Sequence, residues 1–203
     1  MNNIKNVIFD LGGVLIDWNP EYVYLDVFNG DRQKMKWFFD EICPSDWNLN
    51  QDAGYPLAEA TKERIALFPE HKDLIEMFYG RWEEMLGEAI EGTVAVLNKL
   101  KENYKIVALT NWSHETFPVA LERFEFLHWF EGIVVSGEEK TRKPFDDIYL
   151  TTLNRFNIKP EESIFIDDNA ENIATANRLG INGIHFKSPE LLKTQLQDFD
   201  ITL

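Results

Sequence analysis

The chain has 203 residues, one cysteine and a formal net charge of -15, from 20 Lys plus Arg against 35 Asp plus Glu. That length suits one sizeable domain, or a core domain with a smaller insertion, and a lone Cys43 excludes an internal disulfide. The acidic balance argues against nucleic acid and anionic membranes as partners; with no signal peptide expected and no apolar run near the ~20 residues of a membrane span, the expected setting is the cytoplasm.

In chain order, Val7-Ile8-Phe9 is β-branched and aromatic on consecutive residues, which predicts a short strand buried on both faces. It ends at Asp10, and Gly12 and Gly13 allow the backbone to turn tightly just beyond. Residues from about 20 to 92 read as mostly helical. Tyr22, Leu25 and Phe28 recur at helical spacing, as do Met35, Phe38, Phe39 and Ile42, and then Leu74, Ile75, Phe78 and Met85. Within this stretch residues 45–54 are polar and rich in turn formers, and they predict a loop; Cys43, beside Pro44, reads as a packing residue.

Val94, Leu97 and Leu100 then line one helix face. Ile106-Val107-Ala108-Leu109 predicts a second buried strand ending at Thr110-Asn111, with Asn111 or Ser113 expected to cap the helix that follows. Ile133-Val134-Val135 is a third strand. Pro144 is expected in the first turn of a helix whose stripe is Phe145, Ile148, Tyr149, Thr152, Leu153 and Phe156. A fourth strand, Ser163-Ile164-Phe165-Ile166, ends at Asp167-Asp168. A helix from about Glu171 to Leu179 stops at Gly180, Ile184-His185-Phe186 is a fifth strand, and Ser188-Pro189 opens the last helix. Strands alternating with helices imply an α/β fold with a parallel sheet covered on both faces. The helical stretch, inserted after the first strand, would sit as a lid over the sheet rim that carries Asp10.

Ligands of open α/β sheets bind beyond the carboxyl ends of the strands. At that rim the topology gathers Asp10, Thr110, Asn111, Lys143, Asp167 and Asp168. Taken singly, each has a plainer explanation: Thr110 ends a strand, Lys143 is a solvated charge, Asp167 and Asp168 cap a helix. Taken together, three carboxylates in one pocket repel and need a cation between them. Hard oxygen donors suit Mg²⁺, and no His/Cys cluster offers a zinc site. Thr110, Asn111 and Lys143 could then hold phosphate oxygens while Asp10 attacks phosphorus, which is phosphoryl transfer through an aspartyl phosphate.

The ordered set Phe9-Asp10-Leu11-Gly12-Gly13-Val14-Leu15, Val107-Ala108-Leu109-Thr110-Asn111, Arg142-Lys143-Pro144 and Ile164-Phe165-Ile166-Asp167-Asp168-Asn169-Ala170-Glu171-Asn172 resembles the haloacid dehalogenase-like hydrolase superfamily. Within it the chain resembles the α-D-glucose-1-phosphate phosphatase-like group. The resemblance implies a Rossmann-like core of residues 1–17 and 93–203, with a helical C1-type cap at 18–92. It implies Mg²⁺ held by Asp10, the Gly12 carbonyl and Asp168, with Asp167 close by or acting through water. Asp10 would be the nucleophile, and Thr110, Asn111 and Lys143 would hold the phosphate of a small phosphorylated metabolite, a sugar phosphate among the candidates.

Most phosphatases of the superfamily carry a second Asp two residues after the nucleophile, as general acid and base. Here Gly12 stands there and can do neither, although the glucose-1-phosphate phosphatase-like group also has Gly. Asp17 and His114 are the substitutes within reach in sequence, Asp17 reading better as a hinge residue and His114 as an exposed one. His71, His128 and His185 receive no role. Trp47, Asn48, Asn50 and Asp52 would suit a sugar if they face the site and a surface turn if they do not; Trp18, Trp82 and Trp112 are equally open. Three alternatives to the phosphatase remain: a metal-free dehalogenase, a non-catalytic phosphate- or partner-binding protein, and a phosphomutase. Nothing demands more than a monomer.

Overall fold

The computed structural model describes residues 3–203. The first strand, β1 (Asn6–Phe9), is followed by β2 (Ile16–Trp18) and a run of helices. These are α1 (Glu21–Val27), α2 (Arg32–Trp37), α3 (Ser45–Asp52), α4 (Leu57–Leu67), α5 (Lys72–Gly80) and α6 (Trp82–Met85). The chain then returns through β3 (Leu86–Ala89) to α7 (Glu91–Leu100), β4 (Lys105–Thr110), α8 (Phe117–Arg123), β5 (Ile133–Val135), α9 (Ser136–Glu139) and α10 (Asp146–Arg155). It closes with β6 (Ser163–Asp167), α11 (Ala170–Arg178), β7 (Asn182–His185) and α12 (Pro189–Gln197).

Five strands form one parallel sheet in the order β5-β4-β1-β6-β7, a Rossmann-like α/β core. The apolar runs explain it: alternate residues of each strand feed opposite faces. Val7, Phe9, Ile106, Ala108, Ile164 and Ile166 pack toward α7, α8 and α12. Ile8, Val107, Leu109 and Phe165 pack toward α10 and α11. With β1 central, Phe9 is level with Ala108 on one side and Ile166 on the other. One step further along each strand, Asp10, Leu109 and Asp167 share the rim.

The segment between β2 and β3 has its own apolar cluster, centred on Tyr24, Phe38, Ile75, Phe78 and Met85. β2 and β3 pair antiparallel, Ile16 with Ala89 and Trp18 with Leu86, so the helical insert leaves and rejoins the core through one two-stranded ribbon. The insert rests on the core where Gly54, at φ 91°, passes Gly137; a Cβ on Gly54 would lie 2.6 Å from the Gly137 carbonyl oxygen. Ser136 Oγ donates to the Asp52 carbonyl there, and the Leu57 N–H donates to Glu115 Oε1 at 2.8 Å.

Local expectations fail in several places, and β3 (Leu86–Ala89) interrupts the stretch expected to be helical. Residues 45–54 are not a loop: α3 occupies most of them, held by side-chain bonds across the insert that composition does not reveal. In α1 it is Val23 and Tyr24 that are buried, while Tyr22 is exposed and its hydroxyl turns back to Asp17. Neither Asn111 nor Ser113 caps α8, which starts at Phe117, because the Asn111 amide is engaged by the Lys143 backbone. Pro144 lies ahead of α10 rather than in its first turn, because these bonds tie the chain to β4 before it can turn into a helix at Asp146. The ends of the last two helices are as expected: Gly180 stands at φ 85° after α11, and the Ser188 hydroxyl accepts from the Leu191 N–H at 3.3 Å.

Candidate active site

Lys143 is the hub of the rim. Its side chain is 1 % exposed, and Nζ lies 2.8 Å from Asp10 Oδ1, 2.7 Å from Asp167 Oδ2 and 2.9 Å from the Leu109 carbonyl. Burial works against its charge, but the two carboxylates outweigh burial and raise its pKa. Asn111 fixes the hub, its Oδ1 accepting from the Lys143 N–H at 2.8 Å and its Nδ2 donating to the Lys143 carbonyl at 3.0 Å.

The three acids are held differently. Burial would raise Asp167, but Lys143, the Asn169 N–H at 2.8 Å and Asn172 Nδ2 at 3.0 Å from each oxygen hold it below the ordinary range. Asp10 is pushed well up by burial, eased by Lys143 and raised again by Asp167 and Asp168. Asp10 Oδ1 takes both Lys143 and the Leu11 N–H at 2.8 Å, so Oδ2 is the oxygen left for chemistry. Asp168 is also raised, by burial and then by Asp167, and its carboxylate has no ion-pair partner among the described residues. Gly13, at φ 73°, makes room for it: a Cβ there would fall on the Asp168 carboxylate.

One oxygen of each of Asp10, Asp167 and Asp168 lies within 4.8 Å of the others. Three hard donors with one ammonium among them fit a divalent cation of the Mg²⁺ kind. The saturated bonding of Asp167 leaves Asp10 and Asp168 as the oxygens better placed for direct contact. Thr110 is buried on the same rim.

A cavity of about 270 Å³ opens over this rim. Gly12, Gly13, Asn111 and Asp168 form its floor. Trp18, Asn48, Asp52, Tyr79 and Trp82 wall it from the ribbon and insert, and Trp112, Ser113 and Thr116 from the core. The expected lid residues therefore divide: Asn48 and Asp52 face the cavity, while Asn50 is exposed and Trp47 packs on Phe78 and Tyr79. His114 is exposed and does not line the cavity, and Asp17 is engaged by Tyr22 at the ribbon. Two residues without an assigned role join the site. Asn172 clamps Asp167, and His185 Nε2 lies 2.9 Å from the Asp168 carbonyl oxygen. Asn172 was legible as a polar side chain in the first turn of the helix that follows Asp167; His185 reaches the rim only through the β6–β7 register.

The family model described as haloacid dehalogenase-like hydrolase matches residues 7–186. The chain is 25% identical to a phosphorylated carbohydrates phosphatase of Thermotoga maritima, over 90% of this chain and 84% of that protein. It is 28% identical to a glyceraldehyde 3-phosphate phosphatase of Pyrococcus furiosus, over 97% and 86%. Among solved structures, the HAD family enzyme bt-2542 of Bacteroides thetaiotaomicron superposes with a TM-score of 0.75 at 25% identity, covering 96% of this chain and 98% of that one. The wild-type form of that enzyme in complex with magnesium and inorganic phosphate superposes at 0.68 and 26% identity, over 91% and 95%.

Proposed function

The chain belongs to the haloacid dehalogenase-like hydrolase family, and on that premise we propose that it is a Mg²⁺-dependent phosphatase of a small phosphorylated metabolite, working through an aspartyl phosphate on Asp10. The observation that carries this reading is Asp10, Asp167 and Asp168 gathered within 4.8 Å, with a buried lysine bonded to the first two and Asp168 opening onto the cavity. A dehalogenase that attacks carbon has no use for the unpaired Asp168 carboxylate. The relatives named as phosphatases, and the related enzyme seen with magnesium and phosphate, support the same assignment.

Asp10 Oδ2 attacks phosphorus while Lys143 and the Leu11 N–H hold Oδ1 and fix the carboxylate's aim. The Thr110 hydroxyl and the remaining Nδ2 hydrogen of Asn111 hold the phosphoryl oxygens, and Lys143, its three hydrogens engaged by Asp10, Asp167 and the Leu109 carbonyl, adds positive charge beside them. Asp10, the Gly12 carbonyl and Asp168 would hold the metal, with Asp167 close by, and Mg²⁺ there would neutralise charge on the carboxylates and on the phosphate. Asp167 and Asn172 keep Lys143 in position.

The insert and ribbon supply the substrate's surroundings, and residues 18–92 act as its cap. A cavity of about 270 Å³ limits the leaving group to a small molecule. Its wall of Trp18, Tyr79, Trp82 and Trp112, set with Asn48, Asp52, Ser113 and Thr116, suits a hydroxylated carbon skeleton such as a sugar. No helix among the described residues is long and apolar enough to cross a membrane, and a cytoplasmic monomer belongs to the same reading.

A panel of small phosphate esters, sugar phosphates included, tests the proposal. Hydrolysis of at least one, abolished by EDTA and restored by Mg²⁺, is expected. Magnesium binding with no hydrolysis across the panel would instead favour a phosphate-binding protein, and phosphate passed to a sugar hydroxyl would favour a mutase.

A further inference from the structure

We propose that Asp52, on the insert, is the general acid and base that the core lacks at Gly12; this rests on the phosphatase reading. A Cβ built at Gly12 meets nothing within 4 Å, so the place where a proton donor would stand on the core side is open space. Across that space, Asp52 is the one carboxylate besides Asp168 on the cavity wall among the described residues. Asp168 is taken up by the metal assignment. Asp17 and His114 are placed elsewhere, as described above. Asp52 is therefore the acid that reaches the side of the cavity where a leaving group sits.

The side chain is built into its place. Asn48 Nδ2 donates to Asp52 Oδ2 at 3.2 Å, and the Tyr79 hydroxyl donates to Asn48 Oδ1 at 2.9 Å, a chain of bonds from α5 through α3. The Asp52 main chain is fastened to the core by Ser136. Burial raises its pKa to about 7, against the opposing pull of Arg142 and of the Ser113 N–H. The carboxylate also ends α3, where the helix dipole disfavours negative charge. Arg142 faces it from the core, Tyr79 from α5, and Glu115 lies beyond Tyr79. A group that titrates near neutrality can serve as acid in one step and base in the next.

In the first step Asp10 forms an O–P bond as the ester P–O bond breaks, and the Asp52 carboxylic acid passes its proton to the leaving oxygen. In the second, water attacks phosphorus, its proton goes to the Asp52 carboxylate, and the Asp10 carboxylate departs. Phosphate and the starting acid are regenerated.

The test compares wild type and Asp52→Asn, with Mg²⁺, on two probes. One is glycerol 2-phosphate, whose alkoxide needs a proton to leave; the other is p-nitrophenyl phosphate, whose phenolate does not. For Asp52→Asn we expect glycerol phosphate turnover to fall by about 10²–10³-fold. The first-turnover burst of nitrophenolate should survive, followed by a slow steady state. Gly12→Asp added to Asp52→Asn should recover part of the loss. Wild type alone gives a second readout: kcat for glycerol phosphate should decline above about pH 7 while the nitrophenolate burst does not. Wild-type rates in a folded Asp52→Asn, or equal loss of burst and steady state on both probes, would overturn the role of Asp52 while leaving the phosphatase intact. A wild type inert toward both probes and across the panel of phosphate esters would overturn the two readings together.

Discussion

The two walls of the cavity manage charge in different ways. On the core wall, Lys143 bonds Asp10, Asp167 and a main-chain carbonyl, while Asp167 accepts from three donors, Lys143 Nζ, the Asn169 N–H and Asn172 Nδ2. On the insert wall, Asp52 has one side-chain donor, Asn48, which is itself steadied by one phenol. The first arrangement is over-determined and suits charges that must not move. The second leaves an acid half-free beside open space, as a proton donor or a substrate contact requires. On the proposed reading, phosphate chemistry and proton handling sit on different parts of the chain.

The largest effects should come from the core wall. Asp10→Asn should bring turnover to background. Lys143→Met should do the same and also cost about 3–5 kcal/mol in a urea titration, since it leaves buried carboxylates without their cation; a loss under 1 kcal/mol would mean the hub is not what holds them. Gly13→Ala, which drives a methyl into the Asp168 carboxylate, should weaken Mg²⁺ binding about 10–100-fold by calorimetry, and unchanged affinity would remove Asp168 from the metal site. Asn172→Ala should cost about 1–3 kcal/mol by stripping donors from a buried carboxylate.

On the insert wall the effects depend on pH. Asp52 titrates near 7 in the folded chain against an ordinary 3.8, so the folded state holds the extra proton and stability falls as pH rises through that window. Asp52→Asn should therefore melt higher than wild type above pH 7 and close to it below pH 4; the reverse order would show the carboxylate to be stabilising. Tyr79→Phe should be mildest for stability, about 0.5–1.5 kcal/mol in a urea titration.

The core was legible because its signals are local. Consecutive apolar residues such as Val7-Ile8-Phe9 and Ile164-Phe165-Ile166 mark buried parallel strands, and an acid just past each run must lie on one rim. The insert wall was not. Ser-Asp-Trp-Asn-Leu-Asn-Gln-Asp has the composition of a turn, and it is helical because Tyr79 reaches Asn48 and Ser136 reaches the Asp52 carbonyl. The β2–β3 ribbon was hidden for a related reason: Gly87 breaks any alternation, and the pairing joins residues some 70 apart. Contacts of that range decide which lid residues face the cavity, so Asn48 and Asp52 could be separated from Trp47 and Asn50 only in three dimensions.

The most direct measurement is mass spectrometry of the enzyme acid-quenched during Mg²⁺-supported turnover of p-nitrophenyl phosphate. The account predicts a phosphoryl adduct on the peptide carrying Asp10, absent from Asp10→Asn. Steady turnover with no adduct there, or turnover undiminished in Asp10→Asn, would contradict it.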